Sequence, residues 1–393
     1  MKQRFCLFIF VLLVACQAAP AAPMVTLTPP RVKLETITSS PIPTETFTPS
    51  PTPTLEQLIA PFTIEGLRQH DYQSGKIHIR STLVDTDRYT TFLIDYPSDG
   101  LTITGVMNIP VGDGPFPVII MNHGFFARSV YNSGDGTDRS SAFLAEHGYI
   151  TLSPDYRSWG ESDIGNSFFY SGLVIDVINL LNAVPSLPQA DPARVGMWGH
   201  SMGGGVTMKV LTVIGGQVTP NRKDGRTLES GMGTGVETTV NVRAAVLYST
   251  VSADTLDILN RWGMGCFGDI AEGEQIIGCN SSDVISVDLP IEAQNAYRFA
   301  ASDADTLKRI SPIHHLDQVN APVQIHYGTE DGKTLAGTPP EWSVKLAQDL
   351  RDAGKYAEMY SYEGERHSFI GQPWFDFMVR ALRFFDTHVK NAS

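Results

Sequence analysis

Five short apolar runs restrict this chain to few folds. They are PVIIMNHG (117–124), YITLSPDY (149–156), RVGMWGHS (194–201), VRAAVLYST (242–250) and PVQIHYGTED (322–331), and each ends in glycine or polar residues. Apolar runs without alternation suit strands buried on both faces. Helical stretches fall between most of them, at about 140–147, 173–184, 202–214 and 341–353, and another covers 375–389. Strands alternating with helices predict βαβ units and a doubly wound, mostly parallel α/β sheet flanked by helices. Ahead of them, Ile77 to Val84, Thr91 to Tyr96 and Leu101 to Ile109 read as antiparallel strands. Two segments break the rhythm. Residues 215–241 are polar and glycine-rich, a predicted long loop, and about 251–316 hold no clear sheet strand. The second is predicted to be an insertion late in the sheet order that caps one end of the sheet.

The N-terminus belongs to a different regime. Lys2 and Arg4 precede an apolar run from Phe5 to Val14, which ends in Leu13-Val14-Ala15-Cys16. The run is too short to span a bilayer and has the layout of a signal sequence. Its end resembles a bacterial lipobox, which implies lipidation at Cys16 and an exported protein anchored to the outer face of a membrane. The alternative is a secretory signal cut near Ala18 or Ala19. Residues 17–55 are dense in Thr and Pro, predicting an extended tether that buries no core. The predicted folded domain is therefore 56–393. A net charge of −13 over 393 residues argues against nucleic acid as a partner. Cys266 and Cys279 are the only cysteines beyond the signal, and export permits them to form a disulfide.

Ser201 lies where an apolar strand hands over to a helix, with Gly199 and Gly203 on either side. A nucleophile at such a sharp turn needs small neighbours two residues away, as in Gly-x-Ser-x-Gly. The helix that follows turns its free N–H groups toward the site. Serine needs a base, and the base an acid to orient it. On this fold the chain order is Ser, then Asp or Glu, then His. Of the later histidines, His326 sits inside an apolar strand, His388 near the chain end, and His314 and His315 in the insertion. His367 alone lies in a loop between a strand and the last helix, and is the predicted base. The acid should follow the preceding strand, where Glu330 and Asp331 both stand. Met202 N–H is one expected oxyanion donor, with the second from the loop after an earlier strand.

From about Pro115 onward the chain resembles the prolyl-oligopeptidase-like branch of the α/β-hydrolases. The matching pieces are GPFPVIIMNHG, GYITLSPDYRSWGESD, DPARVGMWGHSMGG, GTEDGKTLAGTPPEWSVKLAQDLRDAG and ERHSF. The resemblance implies Asp331 as the acid, and His123-Gly124 as the signature that places Phe125 N–H as the second oxyanion donor. Asp155-Tyr156-Arg157 matches a family motif with an expected structural role. The sequence departs from the large family members: no propeller precedes the domain, and no acidic pair for a peptide N-terminus is identifiable. That favours a small acyl ester as substrate over a short peptide. A non-catalytic binding protein on the same scaffold is the other class of reading, and the complete Ser-Asp-His set opposes it. No metal cluster and no nucleotide fingerprint is visible, so neither metal nor cofactor is expected; His314, His315 and Asp317 read as a polar loop.

Overall fold

The strands that the apolar runs predict assemble into a nine-stranded sheet. The computed structural model describes residues 53–215, 240–262, 275–276, 279–280 and 289–391. Thr52–Ser393 form one compact unit. The predicted signal with Cys16, nearly all of the predicted tether, and Cys266 lie outside the described residues, and of Cys279 only the backbone is described.

In chain order the strands are β1 (His78–Asp85), β2 (Tyr89–Ser98), β3 (Leu101–Pro110), β4 (Phe116–Asn122), β5 (Ile150–Pro154), β6 (Ala190–His200), β7 (Val242–Tyr248), the short pair β8 (Gln275–Ile276) and β9 (Cys279–Asn280), β10 (Val323–Gly328) and β11 (Ala357–Tyr362). The main sheet runs β1-β2-β3-β5-β4-β6-β7-β10-β11. Its first three strands are antiparallel, and β3 joins β5 antiparallel. From β5 to β11 every pairing is parallel. The helices are α1 (Leu55–Ile59), α2 (Ile64–Arg68), α3 (Asp138–Glu146), α4 (Ser171–Ala183), α5 (Met202–Ile214), α6 (Thr255–Trp262), α7 (Ile291–Ser302), α8 (Ala304–Ile310), α9 (Pro340–Asp352) and α10 (Gly371–Phe385).

The pleat explains why the strand sequences do not alternate. Along β4, Val118 and Ile120 enter one core with α4 and α5, while Ile119 and Met121 enter a second with α3 and α10. In β7, Ala245 and Leu247 face the first core, and Ala244 and Val246 the second. Both faces are covered, so apolar residues are required at every position.

Apart from the short antiparallel pair β8–β9, the regular structure described in the insertion is helical. Helices α6, α7 and α8 follow β7 and precede β10, and their apolar faces gather around Phe168, Phe169 and Tyr297. Helices α1 and α2 do not emerge from the sequence reading. At five residues each they are too short for a period, and they begin instead at Thr54 and Thr63, whose hydroxyls accept from Gln57 N–H and Gly66 N–H. The last helix starts at Gly371 rather than 375, because Pro373 fits its first turn.

Candidate active site

At the carboxyl end of β6 the backbone makes a tight elbow. Ser201 has φ 55° and ψ −120°, a conformation that costs a non-glycine residue energy. Surrounding backbone holds it there: Ser201 N–H donates to Tyr248 C=O at 3.0 Å, and its own C=O accepts from Gly204 N–H and Val251 N–H. The flanking glycines are required by space. A Cβ at Gly199 would stand 2.3 Å from Gly203 O, and one at Gly203 would stand 2.0 Å from Asn122 O. The reading from the sequence stopped at these two, but Gly204 and Gly205 are also confined, by the side chains of Thr250 and Val251.

Asp331 and His367 meet across the loops after β10 and β11. His367 Nδ1 lies 3.1 Å and 3.0 Å from the two carboxylate oxygens of Asp331. The carboxylate also accepts from Gly332 N–H at 2.8 Å, Thr338 N–H at 2.9 Å and Thr338 Oγ1 at 2.8 Å. Burial pushes the Asp331 carboxyl up, but the bonds from His367, Thr338 and Gly332 outweigh it and hold the group below the usual carboxylate range. Glu330 instead pairs with Lys333 on the outside of the loop. Of the two acids left open by charge and position, Asp331 is therefore the one that faces the histidine.

His200 connects the two halves. Its ring lies between those of Tyr248 and His367, at 4.5 Å and 4.8 Å, and its Nε2–H donates to the His367 carbonyl at 3.0 Å. Burial, with the charge of His367 beside it, pushes the His200 imidazole down to about 3, so it stays neutral next to the pair. Phe369 N–H donates to Tyr248 O–H and anchors the other side of the His367 loop. Among the described residues no hydrogen bond joins Ser201 Oγ to His367; in unliganded sites such bonds are often long.

The loop after β4 lies against the elbow, since a Cβ on Gly124 would be 3.2 Å from Ser201 Cβ. His123 Nδ1 sits 2.6 Å from Gly124 O. In a planar trans peptide the Phe125 N–H then points away from His123. Met202 N–H is in the first turn of α5, where no intrahelical acceptor exists. No described backbone acceptor takes up either N–H.

The remaining residues singled out in the sequence have structural settings. Asp155 accepts from Thr104, Tyr131 and Ser133 hydroxyls, and Arg157 forms a buried ion pair with Asp176 at 2.8 Å. His326 is buried in β10, His388 follows α10, and His314 and His315 lie in the turn Pro312–Gln318. Among the described residues no group of three metal-ligating side chains forms, and no helix is long and apolar enough to cross a membrane. Thr338 and His200 escaped the sequence reading. The only available signals were a hydroxyl residue closing the loop that Asp331 opens, and a histidine adjacent to the serine.

Comparison with known proteins places this architecture. The model of a family described as "Alpha/beta hydrolase family" matches residues 118–378. An uncharacterized 31.7 kDa protein of the traX-finO intergenic region of Escherichia coli is 34% identical over 110 residues, 28% of this chain and 36% of that protein. Esterase FrsA of Shigella boydii serotype 18 is 31% identical over 111 residues, 28% of this chain and 25% of that protein. The chain thus spans well under half the length of these curated relatives. Among solved structures, acetyl xylan esterase from Paenibacillus sp. R4 superposes with a TM-score of 0.51 at 14% identity, over 83% of this chain and 92% of that one. Dipeptidyl peptidase 4 from Porphyromonas gingivalis does so with a TM-score of 0.50 at 18% identity, over 77% of this chain and 36% of that one. At these identities the likeness is one of fold.

Proposed function

The chain belongs to the alpha/beta hydrolase family, and we propose that it is a serine hydrolase of the prolyl-oligopeptidase-like branch that cleaves small acyl esters. The observation that carries this reading is the strained Ser201 elbow beside a histidine whose Nδ1 is held by the buried Asp331 carboxylate. Ser201 Oγ attacks the acyl carbonyl while His367 Nε2 takes its proton. Asp331 keeps the Nδ1–H tautomer and stabilises the imidazolium. Met202 N–H and Phe125 N–H receive the charge that develops on the carbonyl oxygen. His367 returns the proton to the leaving alcohol, and water then releases the acyl group from Ser201 by the same steps in reverse.

Extent of correspondence supports an ester over a peptide. The shared fold spans 92% of the acetyl xylan esterase but 36% of the dipeptidyl peptidase. Most of that peptidase therefore has no counterpart among the described residues. One of the curated relatives that share part of the chain is itself named an esterase. The proposal extends to location: residues 1–16 direct export, Cys16 carries the lipid, and residues 17–55 tether the domain outside a bacterial membrane. The test is labelling with a fluorophosphonate, followed by parallel assay of p-nitrophenyl acyl esters and aminoacyl amides. Ser201→Ala should abolish labelling and lower ester turnover by roughly 10⁶-fold. Labelling that persists in that variant, or amides cleaved faster than esters of the same acyl group, would overturn the reading.

A further inference from the structure

Loop 332–337 wraps the Asp331 carboxylate, and the N–H groups that bound it, those of Gly332 and Thr338, turn toward that carboxylate. Gly332 N–H and Thr338 N–H both donate to Asp331 Oδ1, at 2.8 Å and 2.9 Å. The wrap is close, since a Cβ on Gly337 would lie 2.4 Å from the same oxygen. In the peptide between Gly337 and Thr338 the N–H faces Asp331, so the Gly337 carbonyl is aimed away from it and needs its own donor.

The donors come from the insertion. At the C-terminal end of α6, Arg261 Nε donates to Gly337 O at 3.0 Å, and Arg261 Nη2 donates to Gly332 O at 3.0 Å and Thr334 O at 2.7 Å. The next residue, Trp262, donates from Nε1 to Leu335 O at 2.6 Å. Two consecutive side chains thus hold four carbonyls of a six-residue loop. The guanidinium is steadied by the indoles of Trp262 and Trp342, 5.6 Å and 5.9 Å from its carbon, which meet edge to face. All of its hydrogen bonds run to main-chain carbonyls rather than to a carboxylate. A planar fork with fixed donors suits this task, and an ammonium does not.

We propose that Arg261 is a positioning residue for the catalytic acid: it clamps the outer carbonyls of loop 332–337, fixes the Gly337–Thr338 peptide whose N–H donates to Asp331, and makes the insertion part of the catalytic framework. The inference rests on the assignment of Asp331 and His367 as acid and base. Arg261 acts through the loop and does not touch the substrate. Without the clamp the Gly337–Thr338 peptide loses its outer anchor, the Thr338 N–H is held less firmly on the carboxylate, and so is the His367 tautomer.

The test uses the full chain with Arg261→Ala and Arg261→Gln, the second keeping much of the side-chain volume should the first not fold. In ester hydrolysis kcat should fall by roughly 10- to 100-fold, with KM little changed. The acid limb of the kcat/KM profile should move to lower pH, because a poorly placed carboxylate stabilises the imidazolium less. Methylguanidinium should restore turnover to Arg261→Ala, and methylammonium at the same concentration should not. A purely structural residue would lower the melting temperature but leave the limb in place. The low-field proton resonance of His367 Nδ1–H supplies a readout that needs no substrate. It should shift or vanish in Arg261→Gln even if the wild type proves to hydrolyse no ester, an outcome that would sink the proposed substrate and not the clamp. A folded variant with wild-type turnover, an unmoved acid limb and an unchanged Nδ1 resonance overturns the inference.

Discussion

Asp331 and Glu330 are neighbours with the same charge, and their different surroundings give them different roles. Asp331 is buried and accepts from His367, Thr338 and Gly332, whereas Glu330 pairs with Lys333 in contact with solvent. Asp331→Asn keeps the volume but replaces an acceptor with an amide that cannot stabilise the imidazolium. It should lower ester turnover by about 10⁴-fold at neutral pH with the fold intact. Glu330→Gln should stay within a few-fold of wild type, and steady-state kinetics on one ester separates the two. A second histidine gives a stability prediction. His326 donates Nε2–H to Gln324 Oε1 at 2.8 Å and accepts at Nδ1 from Tyr362 O–H at 2.9 Å. The amide orientation follows from Gln324 Nε2–H, which donates to Glu358 at 2.9 Å. Burial first, and the Arg380 charge second, push this imidazole well below its ordinary value. The unfolded chain therefore binds a proton that the folded one refuses. Stability present at neutral pH is lost as pH falls below about 6.5, by up to about 1.4 kcal/mol per pH unit from this group. His326→Gln should flatten the decline in melting temperature between about pH 7 and pH 5; an unchanged slope would refute the assignment.

Helix α5 links the site to the rest of the fold. Its N-terminus lies at Ser201, and all of its thirteen residues are buried. Its C-terminal carbonyls are held by α2, through Arg68 Nη1 donating to Thr212 O at 3.1 Å and Gly215 O at 2.9 Å. A cation there satisfies orphan acceptors and complements the helix dipole. Arg68→Ala should cost about 1–2 kcal/mol, read as a shift in the urea midpoint at constant slope. The same helix buries Lys209, whose ammonium donates to Phe169 O at 2.7 Å and is pushed down to about 7 by burial. It ties α5 to a turn in which Phe168, Phe169 and Tyr170 all have positive φ. That turn contributes to the apolar cluster beneath α7 and α8, so α5 and the insertion share one support.

At the scale of the whole molecule, the proposed export and anchoring make a separate prediction. Expressed with residues 1–55 in place in a bacterium, the chain should incorporate labelled fatty acid, and Cys16→Ala should not. Equal labelling of both would remove the lipid anchor from the proposal. The mostly parallel sheet, the tight turn at Ser201 and the place of His367 were legible in the sequence because each rests on local chemistry: doubly buried strands need continuous apolar runs, a strand-to-helix turn this sharp needs Gly199 and Gly203, and His367 occupies a loop that only a strand and a helix can frame. Helices α1 and α2 were not legible, since capping and packing decide segments of five residues. Choosing Asp331 over Glu330 from the residues alone was out of reach, because the two differ in surroundings and not in charge; the family resemblance pointed to Asp331, and the fold shows which one is buried. The parts played by Thr338, His200 and Arg261 also came only with the tertiary structure. Each acts through hydrogen bonds to residues 7 to 167 positions away, and such contacts exist only once β6, β10, β11 and the insertion converge at one end of the sheet.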